Sequence, residues 1–251
     1  MAKQLGNYLT DGSINNITYR HTKYGYLTQN KSRLTKEKVL TDPTFLLTRK
    51  VMTEFKKAAL GGALLRHSLA DTIKKAKDDE VLQRMQKLLT TVVEGDTINQ
   101  FGERTVEDGA VALIKGLDFN AHAPLSQKFS APFTEVVDRV AGTITNNIAS
   151  FIPLGRLSAP LNTTHFSITF AGIEVDFALG DYTIDQQETA ILPWDGTATA
   201  LINQVCTVTA GTVLPLFGVL GVRFYKEVNG TYWERSDHGF NFLNVVVADK
   251  V

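Results

Sequence analysis

The sequence predicts an α+β fold, in which an N-terminal β-hairpin and a helical segment precede a C-terminal antiparallel β-sandwich. Three observations lead there. Near the N-terminus, two strand-like runs flank a short Gly-containing turn. From Phe45, apolar or small residues recur at Met52, Phe55, Ala59, Gly62, Leu65, Leu69 and Ile73, the spacing of one helical stripe. After about residue 97, short segments rich in Val, Ile, Thr and Phe are broken by Gly, Pro, Asn and Asp at intervals suited to a sandwich.

In chain order, "SINNITYRHT" and "YGYLTQNK" alternate as strands do and meet around Lys23-Tyr24-Gly25, which predicts a hairpin over residues 14–29. The polar "QNKSRLTKEK" then leads to Thr41-Asp42-Pro43. Asp42 is placed to cap a helix and Pro43 to open it. Gly61 and Gly62 interrupt the helical stripe, each costing about 1 kcal/mol relative to Ala in an exposed helix interior. Ala58 and Gly62, like Ala59 and Ala63, form rows of small residues that admit another backbone closely. Alternatively, the glycine pair ends one helix and begins another. "KKAKDDE" marks a polar break, Asp78 or Asp79 recaps, and "EVLQRMQKLLTTVV" gives a second helix ending near Gly95. This divides the chain into a basic hairpin-plus-helix part, residues 1–96, and a sandwich, residues 97–251. Seven or eight strands fit between Phe129 and Val251, and Val228-Asn229-Gly230-Thr231 predicts a type I′ hairpin turn.

Composition narrows the function classes. With 251 residues, 43% apolar and 21% charged, the chain has the makeup of a soluble globular protein, which excludes wholesale disorder. Formal charge is zero but unevenly spread. Residues 1–125 carry 19 Lys and Arg against 14 Asp and Glu, whereas residues 126–251 carry 7 against 12. Halves of +5 and −5 permit head-to-tail pairing between copies. A lone Cys206 excludes an intrachain disulfide and a cysteine-based zinc site. "MAKQLGNYLTDGS" lacks the apolar core of a Sec signal peptide. The longest apolar run, "TVLPLFGVLGV", is too short to span a bilayer and contains Pro215. No membrane insertion is expected, and the place of work is the cytoplasm or a released or extracellular assembly.

Motifs for catalysis are missing. There is no G-x-S-x-G elbow, no G-x-G-x-x-G or Walker loop, and no H-E-x-x-H or H-x-H spacing among His21, His67, His122, His165 and His238. Cys206 sits in an alternating run and reads as a buried structural thiol. Glu174 and Asp176 share one strand face with Asp181 and Asp185 nearby, as in some Ca²⁺ sites. The simpler reading puts both on a solvated face while Ile173, Val175 and Phe177 line the core. Trp194, Tyr232 and Trp233 read as core aromatics or as sugar-stacking rings. No catalytic, cofactor-binding or metal-binding residue is assigned, no cofactor is expected, and the chain is read as a non-enzyme.

The basic N-terminal part stands out. Residues 1–60 hold 11 Lys and Arg against 4 Asp and Glu, with Arg20, His21, Lys23, Lys31, Arg33, Lys36 and Lys38 interleaved with Tyr19, Tyr24 and Tyr26. Such a pattern fits a phosphate backbone with stacked bases, the acidic half of a neighbouring copy, or an edge hairpin kept soluble by lysines.

The stretch from Asn16 to Arg66 also resembles the opening of uncharacterised proteins, of about this length, that are common in Bacteroidota genomes. The shared features are a basic aromatic hairpin with a Gly-Tyr turn (Gly25-Tyr26), an Asp-Pro-x-Phe helix start (Asp42, Pro43, Phe45), a Glu-Phe pair (Glu54, Phe55) and a small-residue segment ending in Leu64-Leu65-Arg66. Lys56 stands where those proteins carry glycine. The match covers roughly residues 14–70; it implies a bacterial or phage origin and no activity.

Taken together, these features point to a non-enzymatic structural subunit that assembles with itself into a filament, tube or shell. The expected interface comprises Tyr19, Arg20, Lys23, Tyr24, Gly25, Tyr26, Ala58 and Gly62. The alternatives are a sandwich that binds glycan or a cell surface, and a nucleic-acid-binding protein using the basic N-terminal face.

Overall fold

The computed structural model describes residues 2–5, 9–31, 34–76, 78–235 and 239–251, so Arg33 and His238 lie outside the described residues. It has the α+β architecture expected, with 27% helix and 35% strand. The chain forms two compact units, Met1–Lys50 and Val51–Val251.

In the first unit, strands β1 (Ala2–Lys3), β2 (Gly12–Ile14), β3 (Ile17–Thr22) and β4 (Gly25–Asn30) make an antiparallel sheet in the order β1-β4-β3-β2. The hairpin turns at Lys23-Tyr24 as predicted. The run "SINNITYRHT", however, is two strands: Asn15 takes a positive φ of 52°, which an Asn side chain tolerates, and folds β2 onto β3. Helix α1 (Lys36–Thr41) follows, capped by Thr35, whose side chain accepts from Lys38 N. Asp42 then accepts from Thr44 N at 2.9 Å and Pro43 opens a short 3-10 turn, the expected cap and entry.

Helices α2 (Leu46–Ser68), α3 (Ala70–Ala76) and α4 (Val81–Glu94) come next. Helix α2 runs unbroken through Gly61 and Gly62; the chain bends only at Leu69. Its buried face is Glu54, Ala58, Gly61, Gly62, Leu65 and Ser68, so Met52 and Phe55 of the predicted stripe are turned outward, each about half exposed. A buried ion pair is responsible: Arg104 grips Glu54 with Nε and Nη2, both at 2.8 Å, and Gly102 N donates to Glu54 at 2.6 Å. Ahead of α4, Asp78 accepts from Glu80 N at 2.9 Å and from Ala121 N at 2.7 Å, with Arg84 at 2.8 Å. Gly95 closes α4 as expected.

The remaining elements are α5 (Leu125–Lys128), β5 (Phe133–Asp138), β6 (Thr143–Ile148), α6 (Pro153–Arg156), β7 (His165–Asp176), β8 (Asp181–Glu188), β9 (Leu192–Pro193), β10 (Ile202–Thr207), β11 (Leu216–Val228), β12 (Thr231–Arg235) and β13 (Leu243–Asp249). Asn229 and Gly230, both at positive φ, make the predicted turn between β11 and β12. Two antiparallel sheets result: β10-β6-β5, and a six-stranded sheet built on the long pair β11-β7. The sequence alternates so strictly along β7 that each face has its own core. Phe166, Ile168 and Phe170 meet Ile144, Ile148 and Cys206 of the smaller sheet. Ala171, Ile173 and Val175 meet Leu65, Met85, Leu89 and Val92 of the helices. The six-stranded sheet is thus the middle layer, covered by helices on one face and by strands on the other.

That second cover corrects the reading of Glu174. Its face of β7 is not solvated, because the β10–β11 connection folds over it; Glu174 is 5% exposed and accepts from Thr209 N at 3.0 Å and Thr212 Oγ1 at 2.5 Å.

Asp96, also buried, gives a pH prediction. Burial would raise its pKa, but hydrogen bonds from Asn99 (backbone and side chain), Thr105 N and Ile98 N outweigh this and lower it from 3.8 to about 2. A depressed carboxylate favours the folded state above the unfolded pKa, and that contribution is lost as pH falls through the folded value. The melting temperature should therefore drop on acidification across the window from about 3.8 to about 2, and Asp96→Asn should flatten this part of the profile.

Candidate interaction surface

Cross-strand register sorts the predicted hairpin residues onto two faces. Ile14, Ile17, Tyr19 and Tyr26 fall on one face with His21, whose ring stacks on Tyr26 at 4.4 Å between centroids. Thr18, Arg20, Leu27 and Gln29 fall on the other. Arg20, interleaved with tyrosines in sequence, thereby lies behind the sheet from Tyr19 and Tyr26. Lys23 and Tyr24 project from the turn, the ammonium 5.2 Å from the ring centroid, and Gly25 follows at a φ of 102°.

Exposure is the unusual property of this unit. Among the described residues from Ala2 to Lys50, none is buried, although they form a four-stranded sheet and a helix. Ile14 is 55% exposed and Tyr24 70%. A sheet whose residues are at most partly buried has little of the apolar burial that ordinarily stabilises a few short strands.

The second unit also leaves apolar groups in water. Val51, Met52, Phe55 and Leu60 of α2 and Leu82 of α4 are each more than half exposed, and Phe55 and Leu82 flank an open groove floored by Gln86 and Thr90. Ala58 and Gly62, predicted as part of an assembly face, are buried within this chain. A Cβ on Gly62 would lie 3.1 Å from Leu89 Cδ1 and 3.3 Å from Met85 Sδ, so the small residues admit side chains of α4 and not a second backbone.

The chain matches no family model, no curated protein and no solved structure.

Two described residues with nucleophilic side chains, Cys206 and Ser167, lie buried between layers. Cys206 is fully buried, 3.5 Å from the Phe170 carbonyl, and burial pushes its thiol up to about 11, away from the nucleophilic thiolate. Ser167, fully buried, donates to Glu188 at 2.6 Å; Tyr225 and Arg223 complete that cluster, which ties β7, β8 and β11. Ser167 has a carboxylate beside it, and its own side chain is fully buried. No group of three or more His, Cys, Asp or Glu able to hold a metal occurs among the described residues. Nor is any described helix long and apolar enough to cross a membrane. Trp194 packs on the sandwich core and donates to the Leu157 carbonyl at 3.0 Å, whereas Trp233 on the edge strand β12 is 63% exposed.

The hairpin and its tip are legible in the sequence. The outward turn of Met52 and Phe55 is not, because nothing local announces that Glu54 pairs with a residue 50 positions on.

Proposed function

We propose that this protein is a non-enzymatic structural subunit that assembles with copies of itself into a filament, tube or shell. The observation that carries the reading is the first unit: a four-stranded sheet and a helix with no fully buried residue among those described from Ala2 to Lys50. A small sheet of this kind gains its stability by laying its apolar face on another surface. The exposed apolar residues of α2 and α4 and the opposite charges of the chain's halves make a second copy the natural partner. Two different surfaces that complement each other give a heterologous contact, which propagates or closes into a ring.

Light scattering of the purified protein tests this. Species well beyond a dimer are expected, with regular particles in negative stain. A clean monomer at high concentration in low salt sinks the proposal. Deleting residues 14–29 should abolish assembly and leave the second unit's cooperative melt in place; normal assembly without the hairpin would make it a local edge only.

A second reading, glycan binding, rests on exposed Trp233 and Tyr232 on β12. Glycan-array signal lost in Trp233→Ala would favour it. Nucleic-acid binding is less well supported, since the sheet puts Arg20 and the tyrosines Tyr19 and Tyr26 on opposite faces.

A further inference from the structure

One pocket in the second unit has the chemistry that the hairpin tip lacks. It measures about 290 Å³ and is lined by Leu60, Gly61, Val106, Phe177 and Ala178, with Glu107 and Lys57 at its edge. That volume falls just below the range of ligand sites, about 300–1,000 Å³, and suits a single side chain better than a cofactor. Gly61 lies at its apolar floor, where Val106 and Phe177 press so close that an added Cβ would stand only 3.1 and 3.3 Å from them.

The charges around it are poorly balanced. Burial raises the Glu107 pKa above the usual carboxylate range, and the nearby Asp176 and Asp108 raise it further, with only Lys250 acting the other way. Lys250 is 3.9 Å from Asp108. The other nearby cation, Lys57, is engaged with the Glu103 carbonyl. Asp176 accepts from Leu179 N at 2.7 Å but has no cation beside it in any described salt bridge. A half-buried carboxylate held near two others gains from an incoming cation, provided the cation is carried on an apolar stem.

We propose that this pocket receives the hairpin tip of a second copy, with the Tyr24 ring on the apolar floor and the Lys23 ammonium against Glu107. Tyr24 is 70% exposed and Lys23 lies beside its ring, so one short turn presents both groups. The tip and the pocket lie on different units, so the contact is heterologous and repeats from copy to copy. This rests on the self-assembly reading and specifies its contact.

The experiment measures the protein concentration at half-assembly by light scattering in low salt. Lys23→Glu and Glu107→Lys should each raise it about tenfold or more, and the double variant should recover most of the loss, as a reversed pair does. Tyr24→Ser and Ala178→Trp, both at exposed positions, should weaken assembly without lowering the melting temperature, and serve if Glu107→Lys does not fold. Normal assembly in the Tyr24 and Ala178 variants, or no recovery in a folded double variant, would overturn this contact while self-assembly stands. Failure of the unmodified protein to assemble would overturn both.

Discussion

Gly172→Val is expected to destabilise the second unit more than any other single change considered, although valine is a far better strand residue than glycine. Gly172 lies on β7 directly opposite Gly218 of β11, and both face the smaller sheet. A Cβ on Gly172 would come within 2.6 Å of the Cys206 Cβ, closer than real Cβ atoms approach. The atom it meets is the root of a side chain and not its flexible end, so β10 itself has to move. Overpacking of this kind costs about 1–3 kcal/mol and sometimes more, and here both sheets are fixed by buried bonds. Gln204 donates to the Ile168 carbonyl at 3.0 Å and to the Gln187 carbonyl at 3.1 Å. At roughly 2–4 °C per kcal/mol for a domain of this size, the melting temperature should fall by several degrees. Gly172→Ala should cost less but keep the sign, because its single methyl already makes the close contact. An unchanged melt in both variants would mean the two sheets are not held at this separation.

The same pair of glycines shows what sequence alone makes legible. Alternation along "THFSITFAGIEVDFAL" marks β7 as a strand and divides its side chains into two sets, and the structure keeps that division. Alternation does not tell which set meets water. Glu174 belongs to the set with Phe170, on the face that the smaller sheet and the β10–β11 connection cover, and only that distant cover makes a glutamate there a buried acceptor. Strand β8, "DYTIDQQE", does not stand out in the sequence because its side chains are mostly polar; its register on β7 supplies what its composition does not. The hairpin tip is legible because turn chemistry is local. The pocket proposed to receive it is not, since Gly61, Val106, Glu107 and Phe177 come from three segments far apart in the chain.

Gly62 poses the helical version of the Gly172 problem. Glycine in an exposed helix interior costs about 1 kcal/mol relative to alanine, yet α2 continues through both Gly61 and Gly62. Packing is the compensation. Gly62 faces α4, where Leu89 Cδ1 and Met85 Sδ would stand 3.1 and 3.3 Å from an added Cβ, with Arg66 Nη1 at 3.4 Å. All three are ends of flexible side chains, so one methyl can be accommodated by shifts of a few tenths of an ångström. Gly62→Ala is therefore expected to be near neutral, its gain in propensity offset by tighter contact with Leu89 and Met85. Gly62→Leu is not accommodated that way. Its branch would enter space filled by Met85 and Leu89, 0% and 1% exposed, and should cost about 1–3 kcal/mol or more despite leucine's good helix propensity. Thermal melts of the two variants decide the matter. Alanine near neutral with leucine strongly destabilising supports the packed helix, whereas equal tolerance of both would mean that α2 does not press on α4 at Gly62.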